Sequence, residues 1–357
     1  VAASGIVVLG TEQQAAWGRR ELPPVEKLPA GLWSVPVPIP DNPLRYTLTY
    51  LIPGDTGVVV VDPGWNDDET WAALLAGLGT AGFGLGDVIG LVATHVHPDH
   101  HGLSLRLRAE TGAWIAMHPA ERDSMPQRFG VTTPEKRHAG MTRILRISGA
   151  SDEEIDGLLG GGDGRGEPDF RMAEPDVLLE DGDPVPLPGR RIRTVWTPGH
   201  TPGHICLAEE DARLILTGDH VLPRISPNIG LGPVQDAEPL SAFLASLSKV
   251  AAYDDHDVLP AHEYRFRGLA ARTSELIAHH EERCRELVAV VRSAGEPTMW
   301  ETAKALTWSR PWEEIGRMRF AALGETAAHV QYLVHRGDLA WAPPAVPDGP
   351  ARVRVAA

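Results

Sequence analysis

His95, His97, Asp99 and His100 stand at i, i+2, i+4 and i+5 in the run Thr94-His95-Val96-His97-Pro98-Asp99-His100-His101-Gly102. Side chains alternate along an extended backbone, so His95 and His97 can point the same way. As the chain turns, Asp99 and His100 can swing toward a second point close by. Neutral imidazoles and a carboxylate are donors that suit zinc, and also iron or manganese. The spacing supplies two ligands to one metal ion and two to its neighbour.

A metal pair needs more ligands, and further polar residues follow short apolar runs. Val88-Ile89-Gly90-Leu91-Val92-Ala93 leads into the first motif, and Arg191–Trp196 leads into Thr197-Pro198-Gly199-His200-Thr201-Pro202-Gly203-His204. Arg213–Thr217 ends at Gly218-Asp219-His220, Asp257–Pro260 at Ala261-His262-Glu263, and Val58–Val61 at Asp62-Pro63-Gly64. Each apolar run reads as a buried strand whose C-terminal end delivers a polar side chain. Ligands on rigid strand ends are held better than ligands on a free loop.

Taken together, THVHPDHHG, TPGHTPGH, TGDH and PAHE, in this order over roughly residues 45 to 265, resemble the motifs of the metallo-β-lactamase superfamily. The resemblance implies a four-layer αββα sandwich with a metal pair, two zinc ions or else iron or manganese, at one edge of the two sheets. It implies His95, His97 and His200 on the first ion, Asp99, His100 and His262 on the second, and Asp219 bridging both. Asp62 would support the site without binding metal, as an outer carboxylate orienting a histidine does. His204 would lie behind the ligands. His101 and His220, each beside a ligand, could face substrate or stand by, and Ile39 and Tyr46 near the early hairpin could touch substrate. Such a pair makes hydroxide available near neutral pH and polarises a carbonyl. Asp99 would then orient the nucleophile.

The 357 residues carry 33 Lys and Arg against 48 Asp and Glu, a net charge of −15. So acidic a chain offers no electrostatic footprint for nucleic acid. No apolar run approaches the ~18 residues of a membrane span. Two cysteines, Cys206 and Cys284, and no basic leader fit reduced thiols in a cytoplasmic protein. Residues 1–30 read as an extended arm, 31–268 as the catalytic domain, and 122–175 as a lid insertion within it. That insertion contains the cap Ser151-x-x-Glu154 and a glycine-rich run from Gly160 to Gly166. Arg128, Arg137, His138 and Arg143 read as a solvated helix face, with an anion-reading role as the alternative. Residues 269–345 resemble a small winged-helix domain, with eight Lys/Arg, ten Asp/Glu in 275–345 and no basic recognition helix. It reads as a packing or homo-oligomerisation module; His279-His280 are expected in solvent, and 346–357 as a flexible tail.

The leading expectation is a dizinc hydrolase of a small-molecule thioester, ester or lactone. A bridging aspartate at Asp219 departs from the true class B β-lactamases, and His220–Gly230 departs from the glyoxalase II pattern. The alternatives are a metal-dependent ribonuclease or phosphodiesterase and a mono-iron persulfide dioxygenase.

Overall fold

Strand residues sort by parity onto two faces. Along Tyr46–Pro53 and Val58–Val61, Tyr50, Ile52, Val59 and Val61 enter one core cluster, while Leu51, Val58 and Val60 enter another. That is the period of two that a strand imposes. The computed structural model describes residues 5–129, 134–160, 172–230, 238–344 and 349–356. These fall into two compact units. One holds the described residues up to 129 and those within 172–227 and 242–276; the other holds 134–160, 228–230, 238–241 and those from 277 onward.

In the first unit a seven-stranded sheet runs in chain order. Its strands are β2 (Glu26–Lys27), β3 (Trp33–Pro38), β4 (Tyr46–Pro53), β5 (Val58–Val61), β6 (Val88–Val92), β7 (Trp114–Met117) and β8 (Val177–Leu178). It is antiparallel through β5 and parallel beyond. A six-stranded sheet comprises β1 (Val7–Val8), β13 (Phe266–Arg267), β12 (Asp257–Pro260), β11 (Leu214–Gly218), β10 (Ile205–Glu209) and β9 (Ile192–Trp196), in that spatial order. The first cluster joins the two sheets face to face, with Leu48 and Ile52 on one side and Ile205, Leu207, Leu216 and Leu259 on the other.

On the outer face of the seven-stranded sheet, α2 (Asp68–Ala81) contributes Trp71, Leu74 and Leu78, and α4 (Ser104–Thr111) contributes Leu107. The Asp67 carboxylate caps α2 by accepting from the Thr70 N–H. Gly77 lets α2 lie close to β3, since a Cβ there would stand 2.2 Å from Val35 Cγ1. With α8 (Pro239–Val250) at the loops that follow the other sheet, this is the αββα sandwich that the motifs implied.

The stretch read as an extended arm is instead folded in. β1 pairs with β13 at a sheet edge, and α1 (Thr11–Arg19) buries Gln13 and Ala16. Gln13 explains the docking: its amide donates to Ser34 Oγ and its Oε1 accepts from the Arg265 N–H. The strand ends lead into α3 (Pro98–His101) and α5 (Pro119–Phe129).

The second unit joins segments far apart in sequence. The expected insertion contributes α6 (Pro134–Ser148) and α7 (Asp152–Leu159), and Ser151 and Glu154 form the capping box. Its remainder is the end of α9 (Leu269–Ala294), α10 (Met299–Ala305), α11 (Arg319–Arg336), β14 (Leu339–Ala342) and β15 (Arg352–Val355). Lys304 reaches Glu154, and a Cβ on Gly149 would meet Thr298, so α6 and α7 belong with the C-terminal helices. The boundary expected at 268 falls instead within α9, after Leu276. The expected flexible tail forms β15, antiparallel to β14. His138 and Arg143 are exposed; the side chains of Arg128 and Arg137 and the glycine run from Gly161 lie outside the described residues.

His279 is exposed as expected, but His280 is buried, which corrects the solvated reading. Its Nδ1 lies 3.1 Å from His329 Nε2, while His329 Nδ1 donates to the Glu325 carbonyl at 2.8 Å. Burial lowers His280 to about 2 and His329 to about 4, so the pair stays neutral.

Two predictions follow from this packing. Gly77→Ala should lower stability of the first unit by about 1–3 kcal/mol, because a stiff valine must give way; urea denaturation measures it, and an unchanged midpoint contradicts the close approach. For the histidine pair the folded pKa values lie below the unfolded ~6.5. The unfolded chain therefore binds more protons once pH falls below that value, and stability is lost at about 1.4 kcal/mol per pH unit for each histidine. Hydrogen exchange of α11 amides, corrected for intrinsic rate, should show weaker protection at pH 5 than at pH 7; equal protection would contradict a neutral buried pair.

Candidate metal centre

The polar residue after each strand arrives at one edge of the sandwich. His95 and His97 follow β6, Asp99 and His100 lie on α3, His200 follows β9, Asp219 follows β11 and His262 follows β12. His95, His97, His200 and Asp219 each offer one ligand atom, all within 4.8 Å of one another. Asp99, His100 and His262 do the same. All seven expected ligands are thus brought together in the two expected groups.

Asp219 is shared between them. Its Oδ2 lies 3.6 Å from His200 Nε2 and 4.0 Å from His95 Nε2. Its Oδ1 lies 3.1 Å from His262 Nε2 and 3.5 Å from His100 Nε2. The remaining spacings are equally short. His97 Nδ1 sits 2.9 Å from His95 Nε2 and 3.1 Å from His200 Nε2, and Asp99 Oδ2 sits 3.5 Å from His262 Nε2 and 3.7 Å from His100 Nε2.

The residues fit a pair of divalent cations. His100 Nε2, His262 Nε2 and Asp219 Oδ1 are buried and converge, and none of them makes a hydrogen bond to a group outside the cluster. Such atoms are costly to leave uncompensated, and a cation would satisfy all three. Burial opposes the Asp219 charge, yet His262 and His100 outweigh it and hold the carboxyl well below its ordinary range. Burial together with the facing His100, His97 and His200 keeps His95 neutral, which is the ligating form.

Behind the ligands the second nitrogens of His95, His100 and His262 are anchored. His100 Nδ1 meets Asp62 Oδ2 at 2.9 Å, and His262 Nδ1 donates to the Tyr46 carbonyl at 2.8 Å. His95 Nδ1 lies 3.1 Å from Thr94 Oγ1, which donates in turn to Asp62 Oδ2 at 2.8 Å. Asp62 Oδ1 accepts from the Thr94 N–H, an aim its left-handed φ of 53° sets. Partners of this kind fix ring orientation.

The other expected contacts resolve differently. His204 backs the site: its Nε2 accepts from the Asp219 N–H and its Nδ1 lies 2.8 Å from Thr197 Oγ1. His101 is fully buried, bound to the Ala173 carbonyl and Ser104, so it faces no substrate; burial lowers it to about 4. His220 is also buried, edge-on to Phe243 at 5.0 Å, and burial lowers it to about 3. Tyr46 and Ile39 are buried rather than open to substrate, and Val221 and Leu222 after Asp219 turn into the core.

Sequence reasoning passed over the role of β4. In Tyr46-Thr47-Leu48-Thr49-Tyr50 all four hydroxyls donate to backbone carbonyls around the site. Thr47 reaches Asp99 on α3 and Thr49 reaches Asp62 just after β5, both following strands of its own sheet. Tyr46 reaches Glu263, just beyond β12, and Tyr50 reaches Pro260, the last residue of β12. Parity separates the two pairs of targets, and hydroxyls recurring within an otherwise apolar strand were the available signal.

A profile of the metallo-beta-lactamase superfamily matches residues 42–262. The metallo-beta-lactamase family protein TTHA1429 of Thermus thermophilus superposes with a TM-score of 0.74 at 30% identity, over 92% of this chain and 99% of that one. The lactamase-like protein vrtG of Penicillium aethiopicum is 33% identical over 115 residues, 32% of this chain and 35% of that protein. The acyl-coenzyme A thioesterase MBLAC2 of Homo sapiens is 28% identical over 130 residues, 36% of this chain and 40% of that protein. The chain thus spans well under half the length of these curated relatives. With the profile covering more than half of its residues and the candidate ligand motifs meeting at one sheet edge, this chain belongs to the metallo-beta-lactamase superfamily.

Proposed function

We propose that the protein is a dinuclear zinc hydrolase of a carboxylic thioester, ester or lactone, with an acyl-coenzyme A thioester as the first substrate class to try. The observation that carries this reading is Asp219, one oxygen of which faces each ligand group. The name borne by the MBLAC2 relative supports the thioester within that class. Imidazole and carboxylate donors suit zinc, with iron or manganese as the other candidates. A cation pair supplies a water acidic enough to act as nucleophile near neutral pH and a Lewis acid for a carbonyl oxygen.

The chain's own residues do the rest. His95, His100 and His262 are 0% exposed, whereas Asp99, Asp219 and His200 are 8%, 6% and 4% exposed and His97 is half-buried. Substrate therefore approaches from the side of His97, His200 and the two carboxylates. Asp99 Oδ2 accepts a hydrogen bond from the attacking water and aims its lone pair at the substrate carbonyl. Asp62 and Thr94 keep His100 and His95 from rotating out of place.

Nucleic acid is disfavoured as substrate by the net charge of −15. We read the second unit as a winged-helix-type packing or oligomerisation module. Among the described residues no helix is long and apolar enough to cross a membrane, and a cytoplasmic location remains our proposal.

Zinc-loaded protein should release free thiol from a panel of acyl-coenzyme A and simple thioesters, with Asp219→Ala at the background rate and depleted of both ions. An Asp219→Ala protein that kept two ions and full turnover would refute the assignment, and silence of the unvaried enzyme on thioesters would move the reading to lactones and oxygen esters. Asp62→Ala frees His100 Nδ1 and should weaken metal affinity about 10–100-fold; unchanged affinity in a chelator competition would contradict its orienting role.

A further inference from the structure

Val96 stands between His95 and His97, and Gly203 stands between His200 and His204. Both loops carry ligands of the first group only, and one buried side chain joins them. Glu121, in the first turn of α5, is 0% exposed. Its Oε1 accepts from the Val96 N–H at 2.8 Å, and its Oε2 accepts from the Gly203 N–H at 2.8 Å.

The carboxylate is itself fixed in place. The Glu121 N–H donates to the His118 carbonyl at 3.0 Å, and Ser124 Oγ donates to the Glu121 carbonyl at 2.8 Å. The Gly203 loop approaches so closely that a Cβ there would stand 2.3 Å from the Glu121 nitrogen. One carboxylate thus spans two loops that come from different sheets, with one oxygen for each. Asp99, His100 and His262 have no such tie to it among the bonds the structure describes.

We propose that Glu121 is a positioning residue that sets the distance between the His95–His97 pair and His200, and so governs selectively how tightly the first ligand group takes a divalent ion. This rests on the metal-centre reading above. In the bonds the structure describes, each oxygen meets a backbone N–H, so the effect passes through the two loop backbones. A glutamine at this position would keep one acceptor, but its amide N–H groups would face the other backbone N–H, so one loop must retreat.

The test is Glu121→Gln measured by zinc and cobalt(II) titration against a competing chelator in two backgrounds. His262→Ala disables the second group, and His200→Ala disables the first. The expected result is a loss of about 10–100-fold with His262→Ala, a change under about threefold with His200→Ala, and an altered cobalt ligand-field spectrum in the former only. Equal losses in both backgrounds would mean that Glu121 merely supports the fold, and no loss in either would overturn the proposal outright. If the unvaried protein takes up no ion, the metal-centre reading itself falls, and this inference with it. Should Glu121→Gln fail to fold, amide exchange of the unvaried, metal-free protein decides: Val96 and Gly203 should be as protected as sheet amides, and rates typical of open loops would contradict the clamp.

Discussion

The site depends on one carboxylate being held inside the protein with its two oxygens divided between two sets of imidazoles. Asp219 can do this only because β11 ends where loops from both sheets converge, with the Asp219 N–H bonded to His204 Nε2 and the left-handed Gly218 turning the chain. An isolated buried carboxylate is strongly disfavoured, and so are imidazole nitrogens without partners. Placing them together makes each the other's partial compensation, and a cation in each group would complete it. The remaining order near the edge serves that arrangement.

That order comes in layers of hydrogen bonds. Each ligand imidazole whose partners are described uses its second nitrogen on a carbonyl or hydroxyl, or on Asp62, which suppresses ring rotation. One level further out, the hydroxyls of β4 pin the backbone just after β5, within α3, and at and just after the end of β12. A strand in the middle of a sheet is among the least mobile elements available, so tying loops to it converts loop ligands into scaffold ligands. Glu121 adds a tie from a helix to the loops after β6 and β9. The chemistry therefore sits on loops only in name.

Legibility in the sequence followed the range of the interactions involved. The seven candidate ligands were readable because their motifs resemble the family's and follow apolar runs, and strand ends recur as local patterns. The αββα sandwich came with the motifs. The helix α1 was missed because Gly10 before it is a weak cap and its docking rests on Gln13 meeting Ser34 and Arg265, far away in sequence. The pairing of β15 with β14 is likewise hidden by the prolines between them. His101 and His280 look like solvent-facing or substrate-facing residues from their neighbours, yet both are buried by contacts supplied from distant segments. A buried glutamate that accepts from amides 25 and 82 residues away carries no local signature at all.

The central claim is a pair of ions sharing Asp219, and X-ray absorption on zinc-saturated protein, with the metal-to-protein ratio from mass spectrometry, tests it most directly. The account predicts two ions per chain and a metal–metal scattering path at about 3.5–4 Å, the usual span of two-metal sites. One ion per chain at saturation, with no metal–metal path, would contradict it.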